Sequence, residues 1–99
     1  MGLDFAIDEL LASGWTTLDL SGCECRNDGT FYPNVARVNR EFKDSGFSLT
    51  IRHVQLFDCY RAEWRDSGGG TIGAVVGKSE AEAAVYALAQ LRRQMAAAC

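Results

Sequence analysis

Between Gly46 and Gly77 the hydrophobic pattern changes period, and that change limits the folds open to the chain. In GFSLTIRH, Phe47, Leu49 and Ile51 alternate with Ser48, Thr50 and Arg52. In CYRAEWR, Tyr60, Ala62 and Trp64 alternate with Cys59, Arg61, Glu63 and Arg65. In TIGAVVG, Ile72, Ala74 and Val76 alternate with Thr71, Gly73 and Val75. Successive side chains of a strand point to opposite faces, so the three segments predict three strands, the third with Ile72, Ala74 and Val76 as its apolar set. One apolar and one largely polar face per strand describes an antiparallel meander covered on one side. DSGGG, residues 66 to 70, is a hairpin loop. The other connection, VQLFD, has no glycine or proline and carries apolar residues to its tip.

Helical spacing brackets this region. Leu3, Ile7, Leu10 and Leu11 form one stripe, predicting a first helix over about Leu3–Ser13. Gly14 can stop it in the left-handed conformation, and Trp15 can fold back onto Leu10. A second helix is expected from near Pro33, a residue suited to a helix's first turn. There Val35, Val38 and Phe42 face inward; Arg37, Arg40, Glu41, Lys43 and Asp44 face out, with Arg37–Glu41 and Arg40–Asp44 four apart. Gly46 ends it. The last helix opens on the capping box Ser79-Glu80-Ala81-Glu82, with Ala81, Ala84 or Val85, Leu88, Leu91 and Met95 as its core stripe. Between the first two helices, Trp15–Leu20 is a candidate short edge strand, and SGCECRNDG is a turn-rich polar joint. The expected architecture is α+β: an N-terminal helix, then α-β-β-β-α, with a three-stranded antiparallel meander packed against helices.

A chain of 99 residues, 47% hydrophobic, fits one domain with its own core. Its N-terminus places Asp4, Asp8 and Glu9 inside the apolar stretch, unlike a secretory leader. No apolar run reaches the ~20 residues of a membrane span. The expectation is a soluble cytoplasmic protein that uses no membrane. A formal charge of −3 argues against a general nucleic-acid binder, whose affinity rests on neutralising phosphates.

Candidate chemistry is sparse. Cys23 and Cys25 are spaced one residue too closely for the paired cysteines of structural zinc sites. Adding His53 and Cys59 gives three cysteines and a histidine on paper, with Cys99 a further scattered donor. A reducing compartment disfavours a disulfide. His53, Asp58 and Cys59 offer a base, an acid and a thiol, but no oxyanion donors accompany them. GGGTIG lacks the spacing of a phosphate loop and precedes a strand; Gly77-Lys78-Ser79 reads as a helix start. These patterns favour no enzyme, cofactor or metal. What remains is surface. Arg52, Arg61, Glu63 and Arg65 on the open sheet face, with Phe57 at the hairpin tip, form a candidate protein-docking patch, since aromatics and arginines dominate interface hot spots. Glu41 and Asp44 are the acidic alternative.

The segments DELLASGW, FYPNVARV, CYRAEWR and SEAEAAVYALAQL span nearly the whole chain and resemble small phage proteins of the phage ABA-sandwich domain family. SGCECRNDG is an insertion relative to that pattern, and Pro33-Asn34 replaces the usual serine cap. The resemblance implies a non-enzymatic phage or prophage accessory protein. Such a protein would bind a host protein and inhibit a bacterial defence system, in the manner of anti-CRISPR proteins, by masking a CRISPR–Cas or other defence component. The α-β-β-β-α order also resembles the double-stranded-RNA-binding domain, which implies a nucleic-acid-binding module as the alternative. That family places a lysine cluster at its last helix, where Lys78 here precedes Glu80 and Glu82.

Overall fold

The computed structural model describes residues 2–16 and 18–97. Helix α1 (Leu3–Ala12) leads to a hairpin of two short strands, β1 (Cys23–Cys25) and β2 (Phe31–Pro33). Helix α2 (Val35–Asp44) follows, then the meander β3 (Ser48–Val54), β4 (Cys59–Arg65) and β5 (Thr71–Gly77), and finally α3 (Glu80–Ala97). The meander is antiparallel in the order β3-β4-β5. The α+β class and the order of helices around a meander agree with the sequence pattern. No described helix is long and apolar enough to cross a membrane.

Helix α3 is the centre of the molecule. It packs on α1 and α2 with one side and on all three meander strands with the other. Contact on both sides explains why burial spreads beyond the expected stripe to Ala83, Ala87 and Ala89. Met95, expected in that stripe, is exposed instead. Ser79 caps the helix by accepting the Glu82 N–H at 3.1 Å. Close approach needs small residues: a Cβ on Gly77 would stand 2.7 Å from the Ala83 nitrogen. On α1, Ala6, Ile7 and Leu10 are buried and Leu11 is exposed. Gly14 takes φ 90°, and the Trp15 N–H donates back to the Leu10 carbonyl at 3.4 Å, as expected.

Several expectations are corrected. Trp15–Leu20 contains no strand among its described residues, and the extra strand pair is β1–β2. The supposed polar joint is thus a hairpin: the Arg26 N–H donates to Thr30, the Gly29 N–H donates to Arg26, and Gly29 turns at φ 87°. Pro33 is the buried last residue of β2 and not a helical residue; Asn34 is the cap, its side chain accepting the Arg37 N–H at 2.9 Å. Arg37, expected outside, is buried, and Arg40 reaches Asp19 at 3.7 Å. Last, β5 presents its faces the other way round. Gly73, Val75 and Gly77 lie opposite Trp64, Ala62 and Tyr60 on the core side, which turns Ile72, Ala74 and Val76 outward. The cause is the Trp64 indole, which fills the space where a residue-73 side chain would stand; a Cβ there would be 2.4 Å from Cζ2.

Arg26 clamps the hairpin onto α1. Its guanidinium reaches Asp8 at 3.2 Å, Asp28 at 3.1 Å and Asp4 at 3.6 Å. Hydrogen bonds from the Thr30 hydroxyl and N–H, together with that of Arg26, hold the Asp28 carboxyl down at about 2, below its ordinary 3.8. A depressed carboxyl stabilises the fold above its ordinary value and loses that contribution as pH falls toward its folded value. The Thr30 amide resonance should therefore titrate with a midpoint near 2. A midpoint near the ordinary 3.8 would show that the clamp does not hold Asp28.

Candidate docking face

Period-2 alternation in β3 and β4 carries Ser48, Thr50 and Arg52, and Cys59, Arg61, Glu63 and Arg65, to the side of the sheet away from the helices. The antiparallel register then sets Ser48 opposite Arg65, Thr50 opposite Glu63, and Arg52 opposite Arg61. Beyond β4 lie Ala74 and Val76, opposite Glu63 and Arg61. The four predicted sheet residues are thereby brought onto one surface.

Glu63 is its electrostatic pivot. Its side chain is only 15% exposed, and its two carboxylate oxygens take Arg61 Nε at 3.3 Å and Arg65 Nη2 at 3.2 Å. Arg52 makes no hydrogen bond or ion pair among the described residues and stands across from Arg61. Like charges directly opposite on a sheet face repel. Three arginines against one glutamate make this face basic on a chain whose formal charge is −3.

An apolar rim borders the arginines. The connection between β3 and β4 is one turn of 3-10 helix, Gln55–Phe57, closed by Asp58 in the left-handed region at φ 48°. This projects Leu56 and Phe57 into solvent, 84% and 74% exposed. Phe57, Cys59 and Val76 line a groove that continues to Lys78 and Glu82 at the start of α3. Sequence reasoning found Phe57 but assigned Val76 and Ile72 to the core; both are exposed. Their outward direction follows from the Trp64–Gly73 contact, which no local pattern reveals.

The acidic alternative is not part of this surface. Glu41 and Asp44 belong to α2, on the helical side. Both Glu41 oxygens are engaged within the fold, by the Trp15 Nε1–H at 3.1 and 3.3 Å and by Arg37 Nε at 2.9 Å. Asp44 is exposed at the end of the helix.

The remaining candidates are dispersed. His53 lies beside Tyr60, with ring centroids 5.0 Å apart, and its Nε2 is 3.1 Å from Asp58. Cys59 neighbours Tyr60 in the strand and so faces the other way, which breaks up the thiol–base pairing. Cys23, Cys25 and Cys59 are free thiols, and Cys99 lies outside the described residues. Burial beneath the hairpin pushes the Cys23 thiol up, against the nearby Arg37 charge. Among the described residues no three His, Cys, Asp or Glu side chains gather as metal ligands. No family model matches the chain, and neither the curated proteins nor the solved structures supply a match.

Proposed function

We propose that the protein is non-enzymatic and acts by docking its open sheet face onto a partner protein that offers an acidic group beside apolar surface. The observation that supports this is the opposed pair Arg52 and Arg61, next to exposed Phe57 and Leu56. The pair is a repulsion within the chain alone. A carboxylate placed between the two guanidiniums removes it, and charge-assisted hydrogen bonds of this kind are the strong ones. Phe57 supplies the apolar anchor, and Arg65 with Glu63 forms a polar rim. Following the phage resemblance, the partner is a bacterial host protein, a CRISPR–Cas or other defence component in the host cytoplasm, whose own binding surface is masked.

Two variants test this reading by opposite signatures. Arg52→Glu relieves the Arg52–Arg61 repulsion and should stabilise the fold by about 0.5 kcal/mol. The same change should weaken capture of a host protein by more than about tenfold. Phe57→Ala should lower capture similarly while leaving the melting temperature unchanged. Affinity capture from a bacterial lysate, with wild type and both variants in parallel, decides the matter. Equal recovery by all three would exclude this face. Salt-sensitive binding of duplex RNA by the purified protein would transfer the reading to the nucleic-acid alternative.

A further inference from the structure

Strand β5 closes one side of the meander, bonded to β4 and with no strand on its outer edge among the described residues. An unpaired edge presents a row of N–H and C=O groups that templates further pairing, and proteins commonly guard such edges with lysine, proline or inward charge. β5 has none of these three: TIGAVVG is seven residues without a charge or a proline, and its one irregularity is the register shift against β4 at Ile72, at the start of the strand. The opposite edge, β3, carries the unpartnered Arg52 and also His53. Beside the β5 edge a cleft opens between Gly73–Val75 and the Tyr86, Gln90 and Gln94 side of α3. The edge is therefore not capped by its own helix there.

We infer that a second copy of this chain occupies the β5 edge, giving an antiparallel dimer with one continuous six-stranded sheet. The strand is self-complementary about Ala74. Two-fold antiparallel pairing at that residue sets Ala74 against Ala74 and Gly73 against Val75, and brings Ile72, at the register shift, toward Val76. Ile72 and Val76, 40% and 51% exposed in the single chain, then cover one another on the open face. On the core face the partner's Val75 would lie beside Gly73, against the Trp64 indole that fills the space under that glycine. No like charges meet, because the strand has none. Pairing β3 with itself would bring the Arg52 side chains of two copies onto one already basic surface.

Sedimentation of the purified protein over a concentration series should give a species of twice the 10.8 kDa chain mass at high concentration. Amide exchange across residues 71–77 should slow as concentration rises. Ala74→Lys separates edge pairing from folding. In one chain the new lysine lies opposite Glu63, a favourable cross-strand pair, so the melt should persist at low concentration. In the dimer two lysines would face each other at the two-fold, and association should fall by at least tenfold. A monomer throughout the series overturns the inference. So does a dimer that survives Ala74→Lys, or wild-type exchange in 71–77 that ignores concentration.

Discussion

Arg37→Met should cost about 3 kcal/mol of folding stability, the low end of the 3–5 expected when one member of a buried charged pair is removed. Arg37 is 8% exposed and acts as a bolt between segments distant in sequence. Its Nη1 donates to the Asp19 carbonyl at 2.8 Å and the Ser21 carbonyl at 2.7 Å, and its Nε to Glu41 at 2.9 Å. Methionine keeps much of the stem's packing and removes every donor, so the loss reports the polar network. Two backbone carbonyls and a carboxylate are left to find other partners. Glu41 is 23% exposed and recovers part of its hydration, which sets the estimate at the lower end. Arg37→Lys should fall between the two, because one ammonium cannot reach a carboxylate and two carbonyls with the fixed fork of a guanidinium. The early disturbance should be local, since Glu41 also holds the Trp15 indole and Cys23 lies 3.8 Å from Arg37 Nη1. Chemical denaturation with amide probes in β1 and β2 measures both effects. A loss below about 1 kcal/mol would show that water replaces the bolt without penalty.

Arg37 also marks where sequence patterning stops being informative. Its four-residue spacing from Glu41 suggests an exposed helical pair, and the pair does form. Nothing local reveals that Asp19 and Ser21 carbonyls descend onto the same guanidinium, because the approach depends on the β1–β2 hairpin. That hairpin was itself partly readable. Asp66–Gly70 and Arg26–Thr30 close the same way: the first residue's N–H donates to the fifth, and the fourth is a glycine at φ 84° or 87°. DSGGG stands between long alternating strands and is recognisable as a turn. RNDGT stands between strands of three residues, too short for alternation to show.

The docking face divides in the same manner. Arg52, Arg61, Glu63 and Arg65 follow from period 2 alone, since β3 and β4 each have an unambiguous apolar set. In β5 both sets are small or apolar, so alternation cannot choose between them. The choice falls to the Trp64 indole, and the register shift beside Arg65 accompanies it. A one-residue slip exchanges the faces of a whole strand. For that reason Ile72 and Val76, the apolar border of the face, were legible only in three dimensions.

The same indole carries the other large effect. Trp64 is 1% exposed and lies 5.5 Å from the Phe42 ring, between the sheet and the helices. Trp64→Ala should cost about 3–5 kcal/mol, a large part of the 5–15 available to a domain. Its Nε1–H has no hydrogen-bond partner among the described residues, so Trp64→Phe removes an unsatisfied donor along with some volume. That substitution should cost clearly less than alanine. Gly73→Ala attacks the contact from the opposite side. The added Cβ would stand 2.4 Å from Cζ2 and 2.8 Å from Cε2, on a ring held by the core, so overpacking should cost about 1–3 kcal/mol. Phenylalanine has a single ring and lacks the indole's outer benzo ring, which carries Cζ2, so the two changes should offset one another. The double variant, Trp64→Phe with Gly73→Ala, should be more stable than the sum of the single losses by at least about 0.5 kcal/mol, the coupling expected of residues in contact. Strict additivity in denaturant melts would mean that residue 73 does not face the indole, and the outward assignment of Ile72 and Val76 would fall with it.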